Sequence, residues 1–183
     1  YLADADGSHQ QRLFLPTDAD RDAYLGSWSP DGRFLVYTAG APYVKIRRGG
    51  PITETQDIFI VDLATLETRQ LTDEKQHGKC FAPDWSPDGR WIAMMCRNRD
   101  ADDFEGVYVI HPDGSGWRQV TPPSWLQVRW VRWSPDGRQI LYLARTQVGE
   151  SWQIYSIDAD GKNIRRLTDF GESVLTFSVF RLP

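Results

Sequence analysis

A chain of 183 residues, 40% of them hydrophobic and with a formal charge of −4, can bury about 70% of the surface it would expose unfolded, so it needs no disulfide framework. The longest unbroken apolar stretch, Trp91 to Cys96, is six residues, far short of the roughly 20 that a membrane-spanning helix requires. With 21 Lys and Arg against 25 Asp and Glu, no basic excess draws phosphate backbones, and composition argues against a nucleic-acid partner.

In chain order, residues 1–14 come first, and Tyr1 to Leu13 aligns without a gap on Tyr155 to Leu167. Tyr1 therefore lies inside a repeated strand, which leads us to expect a natural protein that extends upstream. Residues 23–72, 79–121 and 127–168 then repeat one pattern. Each contains the same hexapeptide, Trp-Ser-Pro-Asp-Gly-Arg, at Trp28–Arg33, Trp85–Arg90 and Trp133–Arg138. Each continues into an Ile58-Phe59-Ile60-Val61-Asp62 unit, or its equivalents Val107–Ile110 and Ile154–Asp158, and closes on Leu71-Thr72, Val120-Thr121 or Leu167-Thr168. The first and last apolar anchors of this second unit are always 13 residues apart. A final segment, 174–183, restarts the pattern with Phe180 at the Trp position and then loses the turn motif.

Every repeat resolves into four short strands. Strand A approaches the Trp and ends in Ser-Pro-Asp-Gly, which suits a type I turn with Ser accepting a bond from the turn backbone and Gly relieving the exit. Strand B follows (Phe34–Tyr37, Trp91–Met95, Ile140–Leu143) and strand C is the Ile-Phe-Ile-Val unit. Both are nearly continuously apolar, so both of their faces should be covered. Strand D is more polar, as expected for an outer edge. Identical four-stranded meanders spaced 57 and 48 residues apart predict an all-β fold: a β-propeller of antiparallel blades, with three complete blades, partial blades at both ends and an incomplete ring.

The Trp-Ser-Pro-Asp-Gly-Arg core with the following Ile-Tyr-x-Ile-Asp…Leu-Thr resembles the WD-repeat-like blades of the TolB family, and similar blades occur in the propeller domains of the prolyl oligopeptidase family and the tricorn protease. The resemblance covers nearly the whole chain. It implies an exported, periplasmic protein of the bacterial envelope that works beside partner proteins; it does not imply one activity, because blades are reused across functions. Three arrangements accommodate an array that stops mid-blade: part of a longer propeller, one ring completed by two chains, or a small ring closed by the terminal strands.

Trp28 to Ile58, Trp85 to Val107 and Trp133 to Ile154 span 30, 22 and 21 residues, whereas the A-to-B turn and the C-to-D unit never change length. All variation thus falls on the rim that carries the B-to-C and D-to-A connections, where recognition residues are expected. That rim is assigned a protein or peptide partner, with Tyr43, Lys45, Arg47, Arg48, Arg97, Arg99, Trp125 and Phe170 as candidate contacts. Two other functions stand beside this one: a propeller that filters substrate for a serine peptidase whose catalytic domain lies elsewhere, and a structural module that self-associates through open blade edges.

No catalytic residue, cofactor or metal is predicted. Asp4-Ala5-Asp6-Gly7 and Asp158-Ala159-Asp160-Gly161 fall at hairpin positions, where Asp-x-Asp-Gly makes a turn. Asp18, Asp20 and Asp22 lack the Gly and Glu that a calcium loop would want at Ala23 and Ser29. His9, His77 and His111 are scattered over three connections and read as solvent-exposed turn residues. No Gly-x-Ser-x-Gly elbow or phosphate-cradling loop is present. Simple pairing across the 86–89 turn sets Cys80 opposite Met95 and diagonal to Cys96, so the two cysteines are either buried free thiols or, with a one-residue offset, a disulfide.

Overall fold

The computed structural model describes residues 3–10, 22–40, 56–97, 106–122, 127–147 and 149–179, with the backbone alone at 22–25. Three four-stranded antiparallel sheets carry the fold. The first blade is β1 (Asp22–Trp28), β2 (Phe34–Gly40), β3 (Gln56–Asp62) and β4 (Thr68–Gln70). After a single helical turn, α1 (Glu74–His77), the second blade is β5 (Lys79–Trp85), β6 (Ile92–Arg97), β7 (Gly106–Ile110) and β8 (Arg118–Gln119). The third is β9 (Gln127–Trp133), β10 (Gln139–Arg145), β11 (Gln153–Asp158) and β12 (Arg165–Arg166). Strand order in each sheet follows the chain, as in an up-and-down meander.

The Ser-Pro-Asp-Gly turns form as expected, with a variation in the role of Ser. Gly32, Gly89 and Gly137 each donate their N–H to the Ser carbonyl three residues back, at 2.9 Å. The Ser hydroxyl reaches past the turn instead: Oγ of Ser29, Ser86 and Ser134 accepts from the N–H of Phe34, Trp91 and Gln139 at 2.8–2.9 Å and donates to the turn Asp. At the start of the chain, Asp4 and Gly7 repeat the backbone bonds of the Asp158–Gly161 hairpin turn. Residues 1–2 and 11–14 of the first partial blade, and 180–183 of the last, lie outside the described residues, as do Asp18 and Asp20.

Every strand A is bulged three residues before its Trp. The register of the three A–B pairs skips Leu25, Ala82–Pro83 and Trp130, and Ala82 and Trp130 adopt φ of +51° and +50°. One extra residue on the bulged strand shifts everything beyond it. Simple pairing is corrected accordingly: Phe81, not Cys80, faces Met95, and Cys80 faces Cys96 with Cα atoms 4.2 Å apart, joined as a disulfide.

The apolar strands are buried between blades. One cluster (Val36, Ile58, Ile60, Trp85, Ile92, Met94) fills the space between the first and second sheets, and another (Val109, Val131, Trp133, Ile140, Tyr142, Ile157) the space between the second and third. Strand A also bonds from sheet to sheet: Trp85 N–H donates to Ser27 Oγ at 3.1 Å and Trp133 N–H to Asp84 Oδ2 at 2.7 Å. The outer strands make a second tie, since the Arg69 guanidinium donates to the Pro112 carbonyl and its equivalent Arg118 to the Ala159 carbonyl at 2.5 Å. Strand D ends polar and open, with Arg165 and Arg166 exposed.

Candidate partner-binding rim

Antiparallel order places the β2–β3, β6–β7, β10–β11, β4–β5 and β8–β9 connections on one rim and all the Ser-Pro-Asp-Gly and C-to-D turns on the other. The long-connection rim is best described at the third blade. There Trp152, just before β11, lies under two guanidinium groups, Arg129 of β9 at 4.5 Å and Arg145 of β10 at 5.1 Å from the ring centroid. Their placement follows from pairing, because Arg129 faces Leu143 and Arg145 faces Gln127, which sets the two arginines diagonally across adjacent strands.

A buried amide holds the neighbouring connection. Gln153, 1% exposed, accepts from Thr168 Oγ1 and Phe170 N–H at 2.7 and 3.1 Å and donates to the Phe170 and Glu172 carbonyls at 2.8 and 3.3 Å. Trp152 N–H donates to Ser173 Oγ, and Val174 N–H to the Trp152 carbonyl. With its backbone fixed this way, Phe170 presents a side chain 60% exposed. Glu150 accepts from Thr146 Oγ1, Thr146 N–H and Gln147 N–H, and these bonds hold its carboxyl below its usual range. The result is a preorganised surface of two cations on an indole beside an exposed phenyl, suited to a carboxylate and an apolar side chain of another protein.

Of the sequence-based candidates, Arg97 ends β6 on this rim, across from Lys79, and Phe170 belongs to the platform just described. Tyr43, Lys45, Arg47, Arg48, Arg99 and Trp125 lie outside the described residues. Arg129, Arg145, Trp152 and Gln153 were not singled out in the sequence. Two histidines also differ from expectation: His77 and His111 are only partly exposed, His77 packing edge-on against Trp117 with ring centroids 4.5 Å apart and His111 stacking on Trp91 at 3.6 Å. Aromatic contact draws them out of solvent. Among the described residues no group of three or more His, Cys, Asp or Glu is placed to hold a metal ion.

The family described as PD40, TolB beta propeller domain, matches residues 1–179. Dipeptidyl-peptidase 5 of Porphyromonas gingivalis is 28% identical over 155 residues, 84% of this chain and 22% of that protein. The Tol-Pal system protein TolB of Francisella tularensis subsp. mediasiatica is 25% identical over 120 residues, 66% of this chain and 24% of that protein. The crystal structure of TolB from Acinetobacter baumannii superposes with a TM-score of 0.65 at 23% identity, covering 93% of this chain and 37% of that one. The chain thus spans less than half the length of these relatives.

Proposed function

Because the chain belongs to the PD40, TolB beta-propeller domain family, we propose that it is a non-catalytic propeller segment that holds a protein or peptide partner on its long-connection rim. The observation that carries this reading is the Arg129–Trp152–Arg145 stack beside exposed Phe170, a cationic and aromatic surface fixed by the buried Gln153. Rigid aromatic and arginine anchors are what interface hot spots are made of. The partner surface is acidic, to complement the two guanidinium groups. The Cys80–Cys96 bridge supports an exported protein, since such bridges persist in oxidising compartments and are rare in the cytosol.

The test compares complexes recovered from the native source with wild-type protein and two charge reversals. Arg129→Glu with Arg145→Glu should lose the partner; Arg90→Glu, on the opposite rim, should keep it. Retention by the first variant, or loss by the second, would overturn the reading.

A second reading is favoured by the likeness to a dipeptidyl-peptidase over 84% of the chain: the propeller of a peptidase, filtering substrate for a catalytic domain elsewhere in the parent. A Gly-x-Ser-x-Gly segment followed by Asp and His in the flanking sequence would select it, and its absence from the whole parent would reject it.

A further inference from the structure

Each of the first two blades is tied to the next by the same two groups of its strand D. Arg69 donates to the Pro112 carbonyl and Arg118 to the Ala159 carbonyl, and in both cases the acceptor is the second residue of the following blade's C-to-D turn. Two residues on, Leu71 and Val120 are 6% and 5% exposed, buried in the clusters that those blade pairs share. Residues two apart on a strand point to one face, here the face toward the next blade.

The third blade repeats both groups with nothing against them. Arg165 pairs across the sheet with Ser156, as Arg69 does with Ile60 and Arg118 with Val109, so its side chain leaves the corresponding face. Its guanidinium makes no hydrogen bond and no ion pair among the described residues, and the neighbouring Asp158 carboxylate accepts from Asn163 and Gln139 instead. Leu167, the counterpart of Leu71 and Val120, is 50% exposed. One polar and one apolar connector, both engaged in the other blades, thus lack a cover at the same place.

The matching acceptor stands at the other end of the molecule. Asp4-Ala5-Asp6-Gly7 is identical to Asp158-Ala159-Asp160-Gly161, and both turns close with the same backbone bonds: Asp4 N–H to the Ser8 carbonyl and Gly7 N–H to Asp4, Asp158 N–H to the Lys162 carbonyl and Gly161 N–H to Asp158. Ala5 is therefore the counterpart of Ala159, the acceptor for Arg118, yet it is exposed. A Cβ on Gly161 would come 3.1 Å from the Val120 carbonyl of the blade before it, whereas one on Gly7 would meet nothing within 4 Å. The charges also complement each other. Residues 1–22 hold five acidic and two basic side chains, and residues 127–168 four acidic and seven basic ones. The Asp160 carboxyl, held low first by its bond with Lys162, also feels Arg118; Asp6 is its counterpart in the N-terminal turn.

We propose that the open face of the third blade docks a second copy of this chain head to tail, by its N-terminal turn: Arg165 donates to the Ala5 carbonyl of the second copy beside that copy's Asp6, and Leu167 is covered as Leu71 and Val120 are. The two surfaces differ, so the contact is heterologous. It uses strand D and is independent of the rim platform.

Sedimentation of the full chain from micromolar to near-millimolar concentration tests it, and the weight-average mass should rise above that of the monomer. Arg165→Gln removes the charged donor and should raise the midpoint concentration about tenfold; Leu167→Ser should do so by a similar factor of about ten. Direction is read from two blocked variants. Arg165→Glu with Leu167→Ser keeps the N-terminal turn, and Asp6→Arg keeps the third blade. Each alone should be monomeric, and their mixture should form a one-to-one complex, which also shows that both are folded. A wild type that stays monomeric, association unchanged in either blocked variant, or a mixture that does not pair would each overturn the proposal.

Discussion

Gly89 adopts φ of +74°, and a Cβ there would meet nothing nearer than Pro30 Cδ at 3.8 Å, an ordinary contact. Space is available and the backbone conformation is not, so a side chain is penalised by strain alone. Left-handed backbone costs an L-residue about 1–2 kcal/mol, more when β-branched. Gly89→Val, which is β-branched, should lower stability by at least that much, read as a smaller urea midpoint at unchanged slope; an unchanged midpoint would mean that the turn relaxes to another type. The cysteines show what the sequence leaves illegible. Their pairing depends on a bulge whose positive-φ residue is Ala82 in one blade and Trp130 in another, and neither advertises that conformation as Gly or Asn would. For a bridge closing 16 residues, loss of the cross-link in Cys80→Ala with Cys96→Ala should cost about 3 kcal/mol. Thiol alkylation before and after reduction of the wild type should differ by both cysteines.

At the scale of the strand and its turn, two classes of carboxylate answer acid in opposite directions. Asp31 and Asp136 are held below the ordinary value by the hydroxyls of Ser29 and Ser134 and by the Arg33 and Arg138 N–H groups. Their contribution is fully present above the unfolded value of about 3.9 and is lost as pH falls through the folded ones. Asp84 is the reverse: burial between blades raises it, against the bond from Trp133 N–H and the Arg132 charge. The folded state therefore prefers Asp84 protonated, and stability from this residue is lost as pH rises from the ordinary value through the raised one. Asp84→Asn keeps an acceptor for Trp133 and removes the buried charge. Urea midpoints should show the variant more stable than wild type at pH 7 and equal to it at acidic pH. A variant weaker at every pH would mean that the ionised carboxylate is needed at the hub. Asp84 also shows why inter-blade bonding escapes the sequence, because its equivalents are Ser27 and Arg132, three residue types with no common pattern. The turns and strand order, by contrast, were legible, since an identical hexapeptide repeated three times leaves one way to fold it.

Across the whole molecule, three identical tryptophans sit in unequal surroundings. Trp85 and Trp133 are 7% and 5% exposed, each covered by the sheet before it, whereas Trp28 is 51% exposed on the outer face of the first blade. Loops that vary in length revealed which rim would carry the long connections, but the Arg129–Trp152–Arg145 stack joins two strands and the connection before a third and has no signature along the chain. The exposed Trp28 has a measurable consequence. Truncating a fully buried Trp costs about 3–5 kcal/mol, so Trp133→Ala should fall in that range and Trp28→Ala below half of it. Urea denaturation of the two variants at one protein concentration gives the comparison. Equal costs would show the outer face of the first blade to be covered, and sedimentation over a range of concentrations would then separate cover by a second copy, which is lost on dilution, from cover within the chain, which is not.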